Sequence, residues 1–149
     1  MFNKILCATD LGKDDNPAIT KAVQVAHQFN SSIILLNVHD EFMEKEEMEM
    51  LRVSVGSIQA EFEKTAILAK NEMKGIIHSL HAEDIKVEFK IKKGKPNKII
   101  CEEAINLDAD LIVLGKSSKG KISKFLLGST AAYIVNHASV PVLVVPYID

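Results

Sequence analysis

The stretch GKSSKGKISKFLLGST, residues 115–130, holds the densest set of groups suited to phosphate chemistry. Gly115 to Lys121 follows the P-loop pattern G-x-x-x-x-G-K-[ST] up to its last position. There Ile122 replaces the Ser or Thr whose hydroxyl would bind Mg²⁺. A P-loop also needs a helix beginning at its Lys-Ser/Thr end, so that backbone N–H groups and the helix dipole converge on the phosphates. The helix-start signal lies further along, at Gly128-Ser129. Both departures argue against a P-loop. A split arrangement fits better: Gly115 lets the chain turn sharply where a strand ends, and Gly128-Ser129 offers unpaired N–H groups and a hydroxyl at the next helix start. Lys116, Lys119, Lys121 and Lys124 line the segment between and could neutralise an anion. The same residues also suit a solvated loop leading into a capped helix, and on these residues alone both readings stand.

Other chemistry is thinly represented. No Ser-His-Asp set, paired carboxylates or Cys-His pair has catalytic spacing, and no catalytic residue is assigned. The histidines at 27, 39, 78, 81 and 137 form no metal spacing with Cys, Asp or Glu. Cys7 falls in an apolar strand pattern and Cys101 in a helical one, so both read as buried thiols and not as a redox pair. Asp10, just past the first strand, reads equally as a turn carboxylate and as a ligand contact.

These groups are positioned by alternating strand and helix patterns. Lys4–Ala8, Ser32–Val38, Leu111–Leu114 and Val140–Val145 are short apolar runs of buried strands. Ile85–Ile91 alternates, as at a sheet edge with one wet face. Asn16-Pro17 opens a helix carrying Ile19, Ala22, Val23, Ala26 and Phe29, and Asn30-Ser31 stops it. Ile58, Phe62, Ala66, Ala69, Met73, Ile76, Ile77 and Leu80 mark the stripe of a helix from about Val53 to Leu80, its Met residues packing core or partner. Gly94-Lys-Pro96 opens a third helix with Ile99, Ile100, Ala104 and Ile105, and Ser129–His137 is a fourth. Five strands and four helices without linker or repeat make one domain, residues 1–149, with an open parallel sheet and helices on both faces. The chain has 149 residues and a formal charge of −2, which gives no electrostatic reason to expect nucleic acid or an anionic membrane. No apolar run reaches membrane-span length and the start lacks a signal-peptide stretch, so a cytoplasmic protein is expected.

Over essentially the whole chain the sequence resembles the universal stress protein family. The resemblance rests on ILCATD at the first strand end, LLNV at the second, KGKPNKIICEEAINLDADLIVLG and LLGSTAAYIVNHASVPVLVV. The family's mark is G-x2-G-x9-G-[ST] after the fourth strand. The resemblance implies a Rossmann-like sheet of order 3-2-1-4-5 that binds ATP, with or without Mg²⁺, at the carboxyl ends of strands 1 and 4. Strand order reverses between those two strands, which is where ligands bind in such sheets. Carried over, Ala8 and Asp10 lie at the adenosine and the Val38 backbone at adenine. Leu114 and Gly115 border sugar and phosphates, Ser118 and Lys119 belong to the phosphate loop, and Gly128, Ser129 and Thr130 hold the phosphates through N–H groups and hydroxyls. Ser118 stands where the motif has its second glycine, while Gly120 appears two places later.

The family has an ATP-binding branch and a branch that does not bind it. Gly115 with Gly128-Ser129 points to the first, a stress-response or regulatory protein in which ATP acts mainly as a ligand. Ser118 points to the second, a nucleotide-free dimeric interaction protein. A slow ATPase is a third reading. The resemblance and the apolar edge strand Val142–Val145 both imply a homodimer through the last strand. The acidic, Met-bearing segment from Glu41 to about Val53 has no strong turn or cap signal and is expected to be mobile until ordered by ligand or partner.

Overall fold

The computed structural model describes residues 1–12, 16–40, 50–52, 54–116 and 127–146. The acidic segment of the sequence reading falls almost wholly outside them. In chain order the elements are β1 (Lys4–Ala8), α1 (Pro17–Phe29), β2 (Ser32–His39), α2 (Val55–Ser79), β3 (Val87–Lys93), α3 (Pro96–Asn106), β4 (Leu111–Gly115), α4 (Ser129–His137) and β5 (Val142–Val145). All four strand pairings are parallel, in the order β3-β2-β1-β4-β5. The expected fold is the one observed.

Local chemistry fixes the elements as the sequence indicates. The Asn16 side chain accepts from the Ile19 N–H at 3.4 Å, and Pro17 occupies the first turn of α1. At the other end Asn30 adopts the left-handed conformation, φ 56°, one of the few non-glycine residues that does so cheaply.

Strand alternation divides the core in two. Ile5, Cys7, Ile33, Leu35, Leu111 and Val113 point to one face and pack on Ile19, Ala22, Val23 and Ala26 of α1 and on Met73 and Ile77 of α2. Leu6, Ala8, Ile34, Leu36, Ile112 and Leu114 point to the other and meet Ile100 and Ala104 of α3 and Ala131 and Ile134 of α4. The cysteines therefore sit on opposite faces. Burial pushes the Cys7 thiol up to about 12. Cys101 is only partly covered, contrary to the expectation of two buried thiols; its raised pKa reflects mainly that partial burial, then the Glu102 charge.

Two further expectations are corrected. Strand β3 is an edge, but its polar side is not simply wet: Lys90 and Lys92 reach the buried Glu103 of α3 at 3.6 and 3.4 Å. Ile105, assigned to the apolar stripe of α3, is 62% exposed, because Glu103 takes the sheet-facing position beside Ala104.

Met73 is fully buried where α2 meets the sheet. Met73→Ala should lower the free energy of unfolding by about 2–5 kcal/mol through lost transfer energy and the cavity left behind, read as a lower midpoint in urea denaturation.

Candidate functional site

The sheet carries a cleft of about 610 Å³ at its carboxyl end, where β1 and β4 lie side by side and the chain leaves them for opposite faces. Ala8, Asp10, Val38, Leu114, Gly115, Gly128, Ser129 and Thr130 all line it. Ser118 and Lys119 lie outside the described residues, as do Lys121 and Lys124.

One wall is apolar. Ala8 at the end of β1, Leu36 and Val38 of β2, Leu114 of β4, and Pro96 and Ile100 from the start of α3 form a slot suited to a flat, weakly polar group. The other wall is the N-terminus of α4. Gly128 is its N-cap, with φ −61° and ψ 157°, a conformation open to any residue. Its glycine is therefore not required by backbone geometry. The sequence reading counts the Gly128 N–H among the free donors, but that group donates to the Lys116 carbonyl at 2.9 Å. This bond ties the helix start to the end of β4. The first-turn N–H groups of Ser129, Thr130 and Ala131 have no acceptor in a preceding turn and sit at the positive end of the helix dipole. Donors thus converge from α4, and Lys116 adds a cation at the same end.

The N-terminus of α1 faces the cleft too, through Asn16, Pro17 and Ala18. Thr9 joins it to the strands. Its hydroxyl accepts from the Leu11 N–H at 3.1 Å and from the Asn16 side-chain amide, and its N–H donates to the Leu36 carbonyl at 2.9 Å. Its own carbonyl accepts from the side chain of Asn37, only 3% exposed, at 2.9 Å. The chain then turns through Leu11 at φ 55°. The exposed Asp10 carboxylate accepts from the Gly12 N–H at 3.2 Å, holding one oxygen toward its own turn. Asp10 therefore has the turn role, and its place on the cleft wall leaves a second role open.

Several lining residues were missed in the sequence. Asp40, one residue past β2, puts a second carboxylate on the wall in addition to Asp10. Its position just beyond a strand's carboxyl end is the available signal. Asn16 reads in the sequence only as a cap, and Thr9 has no separate role there, although both line the cleft. Thr9→Val should keep the shape and remove the acceptor shared by Leu11 and Asn16. We expect a loss of about 1–2 kcal/mol, as for a buried donor left unpaired, measured by denaturant titration.

Comparison with known proteins agrees with this architecture. The universal stress protein family model matches residues 1–146. Universal stress protein MJ0577 of Methanocaldococcus jannaschii is 30% identical, over 97% of this chain and 95% of its own length. The solved structure of MJ0577 superposes with a TM-score of 0.75 at 27% identity, covering 100% of this chain and 99% of that one. A universal stress protein solved in complex with cAMP gives 0.69 at 21% identity, over 97% of both chains. The Archaeoglobus fulgidus universal stress protein solved in complex with dAMP gives 0.61 at 20% identity, over 96% of this chain and 97% of that one. The chain belongs to the universal stress protein family.

Proposed function

We propose that the cleft binds an adenine nucleotide, ATP with or without Mg²⁺, and that the nucleotide acts mainly as a ligand of a cytoplasmic stress-response or regulatory protein. The observation that carries this is the pairing of an apolar slot with a helix N-terminus across a single cleft. The base would lie between Ala8, Val38, Pro96 and Ile100, with Asp10 toward the sugar. The phosphates would lie against Ser129, Thr130 and the first-turn N–H groups of α4, with Gly128 and Gly115 leaving room for close approach and Ser118 and Lys119 completing the loop. The cAMP and dAMP complexes of two fold relatives support an adenine nucleotide as the class of ligand. Hydrolysis would be weak at most, because among the described residues neither Asp10 nor Asp40 has a partner set of the kind a general base needs. Among the described residues no helix is long and apolar enough to cross a membrane, and the net charge of −2 gives no electrostatic reason to expect nucleic acid. Ser118 in place of the motif's second glycine favours the alternative, a nucleotide-free dimeric interaction protein.

Titration calorimetry with Mg-ATP separates these readings. Wild type should bind. Gly128→Val should abolish binding by filling phosphate space, and Asp10→Ala should weaken it. Lys121→Ala, fatal to a true P-loop, should change it little, because the helix that would hold the phosphates begins at Ser129 and not beside residue 121. No heat from wild type would favour the nucleotide-free reading.

We further propose a homodimer through Val142–Val145. β5 is an edge strand of four apolar residues, and among the described residues one side of its backbone is unpaired. Pro141 and Pro146 bracket it, limiting pairing to those residues. Light scattering should give a dimer mass at micromolar concentration, and Val144→Lys should reduce it; a monomer mass for wild type rejects the interface.

A further inference from the structure

The two walls of the apolar slot come from different layers. Leu36 and Val38 belong to β2, and Pro96 and Ile100 to α3. A triad of charges joins those layers beside the slot. Lys90 and Lys92 of β3 stand in register with Leu36 and Val38, on the face that α3 covers. Glu103 is seven residues past Pro96 and three past Ile100. At about 100° per residue, all three fall within about 60° on one side of α3. The Glu103 Oε2 lies 3.6 Å from the Lys90 Nζ and its Oε1 3.4 Å from the Lys92 Nζ, and the residue is only 7% exposed. Oε2 makes no hydrogen bond among the described residues, so charge alone compensates its burial. Apolar residues packed in the same space are often as stable as a buried ion triad, or more so. Stability therefore does not explain the choice, but direction does. Lys90 and Lys92 are two residues apart, about 6.6 Å along the strand, and the carboxylate is held between them. Sliding α3 along the strand in either direction lengthens one ion contact while shortening the other. Apolar burial is non-directional and resists such a slide less.

We propose that the triad fixes α3 against the sheet and so sets the width of the slot, which makes Lys90, Lys92 and Glu103 positioning residues for recognition of the base. The proposal rests on the nucleotide reading of the cleft. None of the three forms part of the cleft wall, so they act through Pro96 and Ile100. The phosphate end is held in another way, by the Gly128–Lys116 backbone bond between α4 and β4. The triad therefore governs one end of the ligand and leaves the other alone.

NMR titration of the whole protein with adenosine and, separately, with inorganic tripolyphosphate tests it. Two variants remove the directional contact in different ways. Glu103→Asp draws the carboxylate back by one methylene, too short to hold both lysines. Lys90→Met, Lys92→Met and Glu103→Leu combined remove all three charges and leave none unpaired, so the unfolding midpoint in urea should be no lower than that of wild type. Both variants should raise the Kd for adenosine about tenfold, the scale of a methylene misfit in an apolar pocket, and leave the Kd for tripolyphosphate unchanged. Equal adenosine affinity in wild type and both variants would overturn this proposal alone. Equal weakening of both probes would overturn it too, because the triad would then support the fold and not the slot. Wild type that takes up neither probe would remove the nucleotide reading, and this proposal with it.

Discussion

Everything at the carboxyl end of the sheet depends on one constraint: a parallel strand must be reached by a crossover of fixed hand. From β1 the chain steps to β2 on one side, and from β4 it steps to β5 on the other. Crossovers of one hand taken in opposite directions must lie on opposite faces. Accordingly α1 and α2 cover one face, and α3 and α4 the other. Among the described residues no connection crosses the ends of β1 and β4, and the crevice lies there. The cleft is thus a product of strand order. The side chains decide only what it is lined with.

The lining shows two ways of handling polar groups in such a place. On the β4 side the donors are backbone N–H groups fixed by the Gly128–Lys116 bond, which costs no side-chain entropy when a ligand arrives. On the β1–β2 side Thr9, Asn16 and Asn37 use their side chains to satisfy one another and to set the angle at which α1 begins. The Asn37 side-chain oxygen finds no partner among the described residues, a cost accepted within two strands otherwise apolar. At the far edge the buried Glu103 is tolerated because Lys90 and Lys92 arrive from β3 on the same side. Removing either lysine alone would leave the carboxylate one cation, and removing both would leave a buried charge unpaired, the more damaging change.

Much of this was legible in the sequence because the relevant signals are local. Asn16-Pro17 and Asn30 bound α1 where caps require, and Leu111–Leu114 and Lys4–Ala8 are apolar on both faces because both faces are covered. Ala8, Gly115 and Gly128 could be placed on one cleft because each ends a strand or begins a helix, and strand order brings such ends together. What could not be read depends on partners distant in the chain. Glu103 looks like a solvent residue until Lys90 and Lys92 are brought beside it across the β3–α3 turn. Ile105 looks like core until that carboxylate takes the inward position. Asp40 carries no motif, and Thr9, within ILCATD, shows its role only once its N–H bonds the Leu36 carbonyl and ties β1 to β2 at the cleft.

The position of the α4 N-terminus also explains why the lysines between Gly115 and Gly128 are a poor guide to mechanism. A P-loop lysine is held at the phosphates by a helix that begins beside it. Here the helix begins at Ser129, and what it presents to the cleft is Ser129, Thr130 and Ala131. An exposed lysine contributes about 0–1 kcal/mol to an ion pair and less as salt rises, whereas fixed N–H groups at a helix terminus are aligned before any ligand binds. In the proposed function, specificity for an anion at this end would therefore reside in the backbone. It would require that residue 128 remain small and that its N–H stay bonded to the end of β4. The lysines would tune attraction at a distance, and the helix terminus would decide whether a phosphate fits.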